Sequence, residues 1–286
     1  MKSFTRDLVG WIEDNLDKKL SLDDVAARAG YSKWHLQRFF SNETGITLAA
    51  YIRFRKLNRA AVMLKMTRLP IIDISEVLGF STQQVFNRTF KCHFGAAPGR
   101  YRASQLWHFK GMLPELAIKR PQLPVPQRIT TTLNTLPGIS LSYTSSCAKL
   151  GDVAYHAAMR NTLFRKAENM LGDQHPVLSV SEIYEPACNH SDQIKFNLTF
   201  NTGFSDHDVS RKEDTEFLRF PFKGSPEQLT EMQINIYQHL MPTRHEARRA
   251  GHDYFVCERQ ENMQTDKSKL AGFYYVPVSG DVNDLR

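Results

Sequence analysis

Two stretches of the chain, Ser21 to Gly45 (SLDDVAARAGYSKWHLQRFFSNETG) and Pro70 to Gly95 (PIIDISEVLGFSTQQVFNRTFKCHFG), follow one pattern. Such an internal repeat constrains the fold before any single residue does. Val25 matches Ile74, Gly30 matches Gly79, Tyr31 matches Phe80 and Ser32 matches Ser81 at an offset of 49. After a one-residue insertion the match continues at an offset of 50: Leu36 with Phe86, Arg38 with Arg88, Phe40 with Phe90, Gly45 with Gly95, Tyr51 with Tyr101. Each copy reads as helix, tight turn, helix. Ser21 and Asp24 form an amino-terminal capping pair, and Gly30 and Gly79 supply the left-handed residue that ends each first helix. Ser32 and Ser81 are the expected caps of the second helices, with Gln84 completing a box-like pattern after Ser81. Two short helices joined by a turn containing Gly are the supersecondary unit of a DNA reader.

Thr47 to Met66 contains no Gly or Pro and many good helix formers, which predicts a long helix connecting the two units. Ahead of the first copy, Phe4, Leu8, Trp11, Ile12 and Leu16 recur at helical spacing and predict a packing helix. Four prolines between Pro114 and Pro126 mark a linker, drawn over 108–126, that separates a reader domain (1–107) from a carboxy-terminal domain (127–286). The second domain reads as α+β. Strands are expected at Arg128 to Leu133 and Ile139 to Tyr143, then a helix from Val153 to Leu171 with Val153, Ala157, Leu163, Phe164 and Ala167 toward a core. Strands follow around Val177 to Tyr184, Ile194 to Phe200 and Glu216 to Phe222, then a helix from Pro226 to Leu240 and strands at Tyr254 to Glu258 and Phe273 to Val278. The order strand, helix, strand, strand occurs twice, so the fold class is multidomain: an all-α tandem helix-turn-helix domain followed by an α+β domain of duplicated β-α-β-β units.

The net charge of +7 is unevenly placed. Residues 1 to 110 hold 18 Lys or Arg against 9 Asp or Glu, while residues 111 to 286 hold 19 against 21. From Arg28 to Lys110 the only acids are Glu43, Asp73 and Glu76, a bias that suits a polyanion partner. The start of the chain mixes Asp7, Glu13 and Asp14 into its apolar positions, unlike a secretory signal, and no apolar run approaches the ~20 residues of a membrane span, so a cytoplasmic protein is expected. Cys92, Cys147, Cys188 and Cys257 form no CxxC pair and are expected as reduced, partly buried thiols.

On the second helix of each copy, Trp34, Gln37 and Arg38 share one face and Gln83, Gln84, Asn87 and Arg88 the corresponding one, while Leu36, Phe39 and Phe40, and Phe86 and Phe90, turn inward. Arg pairs in bidentate fashion with guanine O6 and N7, and Gln with adenine, so these faces carry the side chains of major-groove readout. Trp34 is placed either against sugar or a thymine methyl or partly in the core. His35 is read as exposed, with phosphate contact as its alternative. Lys33, Arg53 and Arg55 are expected to touch phosphates, which would position the protein and make binding fall steeply with salt. Two readers in one chain let a monomer span major-groove segments about one turn, roughly 34 Å, apart on an asymmetric site, with either DNA bending or insertion of one reader alone if the connecting helix is too short.

GYSKWHLQRFFSNETG, GFSTQQVFNRTFKCHFGAAPGRYR and the closing Pro98 to Arg102 resemble the DNA-binding domain of the AraC/XylS family, in its MarA/SoxS/Rob group, over about residues 3 to 105. The resemblance implies base contacts from Trp34, Gln37, Arg38, Gln83, Gln84 and Arg88 on double-stranded promoter DNA. It also implies activation through RNA polymerase of genes for resistance to antibiotics, organic solvents and superoxide. The carboxy-terminal part, ending in FYYVPV, resembles a GyrI-like ligand domain, but Phe273 stands where that family often presents an acid to cationic ligands. An aromatic or amphipathic small molecule among Phe164, Tyr254, Phe273 and Tyr275 remains compatible with it. No cofactor or metal is expected, and no enzymatic activity: GxSxG, HExxH and phosphate-cradling Gly-rich motifs are absent, and Cys188, His190 and His207 lack metal-ligand spacing. A small hydrolase and a protein-interaction module are the alternatives to a ligand domain.

Overall fold

A computed structural model describes residues 3–16, 20–116, 122–133, 138–172, 177, 179–189, 191–202, 215–257 and 270–280. His190, His207 and Glu258, and part of the expected linker, lie outside the described residues.

The first half is helical. Helix α1 (Ser3–Asn15) buries Leu8 and Ile12 as its apolar spacing predicts. The first repeat forms α2 (Leu22–Ala29) and α3 (Lys33–Thr44), the second α5 (Ile71–Val77) and α6 (Gln83–Phe94), and α4 (Leu48–Met66) joins them. Helix α7 (Pro98–Ala103) closes the domain by burying Tyr101 against Phe90 and Phe94. The connecting helix begins where expected, capped by the Thr47 hydroxyl, which accepts from the Ala50 amide at 3.2 Å.

The second half is an antiparallel sheet with helices on one face. Its units are β3 (Ile139–Ser146), α8 (Val153–Leu171), β4 (Ser179–Pro186), β5 (Gln193–Asn201), and β6 (Thr215–Gly224), α9 (Pro226–Asn235), β8 (Asp253–Cys257), β9 (Leu270–Ser279). In each unit the last strand pairs with both others (β5 with β3 and β4, β9 with β6 and β8), and β4–β8 pairing joins the units. The duplicated order read from the sequence is therefore also a duplicated topology. Strand β2 (Gln127–Thr131) extends the sheet beside β6. The helix expected to Leu240 is regular only to Asn235 and widens into a π-helical turn over Ile236–Leu240.

Two strands had no sequence signal. β1 (Leu106–Trp107) leaves the reader domain and pairs with β7 (Ala247–Arg249), which pairs with β9. The chain between the halves thus begins as a docked strap. His108 and Phe109 are buried, the Leu113 carbonyl accepts from Asn58 (2.7 Å) and Arg55, and the Gly111 carbonyl accepts from His93 Nε2 (2.7 Å). One buried apolar cluster runs without a break from Leu57, Leu64, Phe86 and Phe90 to Tyr143, Ile194, Phe196 and Phe200. The halves share a core, which fixes one against the other.

Candidate nucleic-acid interface

The turn of the first reader is built by backbone chemistry that its residues dictate. Ser21 accepts from the Asp24 amide (3.2 Å), while its hydroxyl (2.6 Å) and its own amide (2.9 Å) donate to the Asp24 carboxylate, and these two bonds, the hydroxyl's first, hold the Asp24 pKa below its ordinary value. Gly30 takes φ 68° and donates to Ala27, and Tyr31 donates to Ala26, closing α2. The second reader repeats this with Gly79 at φ 72°. Ser32 caps α3 by accepting from His35. In α6 the cap is Thr82, which accepts from Val85 at 3.2 Å, and not Ser81 as expected. The inserted residue of the second copy falls before the cap, so Thr82, at the offset of 50, is the counterpart of Ser32.

Leu36 and Phe40 on α3, and Phe86, Phe90 and Phe94 on α6, are buried, which turns the opposite faces outward. Trp34 is 68% exposed, which removes the core alternative for it. The Arg38 guanidinium lies over its ring, 5.3 Å from the centroid. Arg38 is exposed and Gln37 half-buried beside them. On α6, Gln84 and Arg88 are exposed, and Gln83 and Asn87 half-buried. Sequence reasoning missed Val85, 46% exposed and three residues from Arg88, an apolar group on the polar face of α6. Its signal was available in the repeat, where it occupies the position of His35. That histidine is exposed and stacks on Tyr31 at 5.1 Å, and Phe4 braces Tyr31 and Phe39 edge-on from α1.

The three expected phosphate contacts divide. Lys33 is exposed and ion-paired with exposed Asp23, an arrangement worth little in water and easily exchanged for a phosphate. Arg53 is exposed on α4, over the Phe54 ring. Arg55 is not on the surface: its side chain is 17% exposed, and it binds Glu13 through Nε (2.8 Å) and Nη2 (2.7 Å) and also reaches Leu113. Burial opposes its charge, but the hydrogen bonds and charge of Glu13 prevail and raise its pKa. Arg55 is a structural residue, and its expectation as a phosphate contact is corrected.

Other cations of this half are likewise turned inward. Lys56 Nζ donates to Leu20, Lys65 Nζ to Ser104 and Leu106 (both 2.8 Å), Arg59 to Cys147 and Arg102 to Leu69 (2.5 Å). Burial lowers Lys65 to about 8. Part of the positive excess therefore caps carbonyls, while Arg28, Lys33, Arg38, Arg53, Arg88, Lys91 and Arg100 stand exposed.

The four residues expected around a ligand do not converge. Tyr254 and Tyr275 are register partners that both meet Phe217, and Arg219 lies over Phe273, all on the sheet face away from the helices. Phe164 is on α8 and packs on Phe200 across the sheet. No group of three or more His, Cys, Asp or Glu among the described residues is placed to hold a metal, and no described helix is long and apolar enough to cross a membrane.

A family model described as a helix-turn-helix domain matches residues 25–104. The chain is 34% identical over 264 residues to the Right origin-binding protein of Escherichia coli strain K12, covering 88% of this chain and 90% of that one. It is 33% identical to the Transcriptional regulator Rob of Salmonella typhimurium, covering 91% and 92%. The Multiple antibiotic resistance protein MarA of Salmonella typhimurium is 48% identical over 99 residues, 35% of this chain and 78% of that one. The match to MarA is confined to about a third of the chain, whereas the Rob-type relatives are matched over nearly their whole length. With two helix-turn-helix units on one connecting helix and a sheet-containing carboxy-terminal half, the chain belongs to the AraC/XylS family of DNA-binding transcription regulators, in its MarA/SoxS/Rob group.

Proposed function

We propose that the chain reads an asymmetric promoter site as a monomer, inserting α3 and α6 into successive major-groove segments, and activates resistance and stress genes through RNA polymerase in the cytoplasm. The observation that carries this reading is the pair of outward faces: Trp34, Gln37 and Arg38 on one helix, Gln83, Gln84 and Arg88 on the other, each backed by a buried aromatic or leucine row. Arg38 and Arg88 take guanine edges, the glutamines adenine, and Trp34 and Val85 thymine methyls or sugar. Lys33 and Arg53 take phosphates. Helix α4, 19 residues and about 28 Å long, is shorter than the roughly 34 Å between groove segments one turn apart. Engagement of both readers therefore bends the duplex, at about 1 to 6 kcal/mol. The resistance role rests on kinship with relatives named for it. The carboxy-terminal half, read as GyrI-like from its sequence with its duplicated topology in support, serves as a regulatory module that responds to a small amphipathic molecule.

Mobility shifts on a promoter duplex selected by its binding to the wild-type chain and on a scrambled duplex, at 50 and 200 mM salt, test the DNA reading. Wild type should prefer the promoter, and Arg38→Ala should lose about 1 to 3 kcal/mol of that preference while binding to scrambled DNA stays nearly unchanged. Equal losses on both duplexes would remove Arg38 from base reading.

A further inference from the structure

A cavity of about 630 Å³ lies between the two halves. Its size falls within the 300 to 1,000 Å³ range of small-molecule sites. Helix α4 of the reader domain contributes Val62 and Met66, the strap contributes Trp107 and Met112, and the carboxy-terminal half contributes Leu150 and Phe196. The aromatic residues expected at a ligand site lie elsewhere, on the far sheet face or behind α8, and none of them lines this cavity.

Its polar wall is charge-compensated from behind. Arg160 is ion-paired with Glu182, which is 3% exposed, and donates through Nη1 to Gln233 at 2.6 Å. Arg248 binds fully buried Asp253 at 3.0 Å, and that carboxylate also accepts from Tyr237 (2.6 Å) and Tyr274 (2.7 Å). In the same lining Arg55 is paired with Glu13, and Asp14, Glu115 and Asp152 stand against Arg59 and Lys149, so the wall offers an occupant no strong net charge. The buried Nε of Arg160 has no hydrogen-bond partner among the described residues. A buried donor without an acceptor costs roughly 1 to 3 kcal/mol, which an occupant carrying an oxygen acceptor would recover once the Arg160 side chain turns its enclosed Nε toward the cavity.

We propose that this interdomain cavity binds a small, uncharged, largely apolar molecule with an oxygen acceptor, seated between Val62 and Met66 of α4 and Leu150 and Phe196 of the carboxy-terminal half, with its oxygen toward Arg160. The proposal rests on the regulatory reading of the carboxy-terminal half and is independent of how α3 and α6 read DNA. Because one wall is the helix that carries both readers, an occupant contacts the DNA-binding and regulatory halves together.

The test uses the full-length chain and the fluorophore prodan, an uncharged naphthalene bearing one ketone, whose emission shifts to the blue when it leaves water. Wild type should bind it saturably at one site. Filling the cavity from either side, by Val62→Trp or by Leu150→Trp, should weaken binding at least tenfold in chains that keep their thermal melt and promoter binding, and two independent variants guard against one misfolding. Tyr254→Ala, on the far sheet face, should leave binding within twofold. Prodan binding that ignores both Trp variants, or that is lost on Tyr254→Ala, would overturn the placement while leaving the regulatory reading intact. Binding only of the anionic probe anilinonaphthalene sulfonate or of a cationic dye such as rhodamine 6G would overturn the chemical class. Saturable binding of none of the three would overturn both the proposal and the small-molecule reading on which it rests.

Discussion

Arg53 and Arg55 are two residues apart on α4, about 200° around the helix, and their environments are opposite: one is exposed over Phe54, the other holds Glu13. Nothing in the sequence distinguished them. Helix α4 is buried on most of its circumference, with Tyr51, Ile52, Lys56, Leu57, Asn58, Ala60 and Ala61 all inside, so apolar periodicity does not mark which cation faces solvent. The reader residues were legible because α3 and α6 have one buried row each, and the repeat aligned the two. Removing one partner of a buried ion pair leaves an uncompensated charge, so Glu13→Ala should lower unfolding free energy by about 3 kcal/mol in urea titrations. Arg53→Ala should leave stability within about 0.5 kcal/mol and reduce the slope of log K against log salt by about 1. An unchanged salt slope would take Arg53 out of the phosphate contacts.

Among the described elements, helices α1 to α6, α8 and α9 and strands β2 to β6, β8 and β9 had sequence signals of period or capping, while α7, known only through its closing motif, and β1 and β7, two and three residues long, had none. Their pairing depends on where the halves meet, which no local pattern encodes. The cap of α6 was misplaced by one residue because Ser81 aligns with Ser32 until the insertion is assigned a position. Thr82→Ala should destabilise the chain by about 1 kcal/mol, and Ser81→Ala by less than about 0.5 kcal/mol. A larger cost at Ser81 in the same thermal or urea melts would return the cap to that residue. The ligand residues were misjudged for a related reason: strand alternation places Phe273 and Tyr275 on one face and Tyr274 on the other, and only the helix packing decides which face is covered.

In the whole molecule, the shared core makes the halves one cooperative structure, and His156 reports on its interior. Burial, with the charge of Arg160, lowers its pKa to about 4. With the ring neutral, its Nε2–H donates to the Lys149 carbonyl (3.0 Å) and its Nδ1 accepts the Tyr143 hydroxyl proton (2.8 Å). The unfolded chain takes up this proton more readily, so stability from His156 is complete above its ordinary pKa of 6.5 and is lost as pH falls toward 4. The loss reaches about 2 kcal/mol at pH 5. The difference in stability between pH 7.5 and pH 5 should therefore be smaller in His156→Asn than in wild type, and equal pH dependence in the two would show that the ring is not held neutral.

Two unequal readers acting on one asymmetric site should leave separable marks on the DNA they select. Selection of bound duplexes from random DNA, carried out with wild type, Arg38→Ala and Arg88→Ala, tests it most directly. Wild type should select two preferred segments about one helical turn apart, with Arg38→Ala losing base preference in one segment only and Arg88→Ala in the other only. A single preferred segment in wild type, or loss at the same positions in both variants, would contradict it.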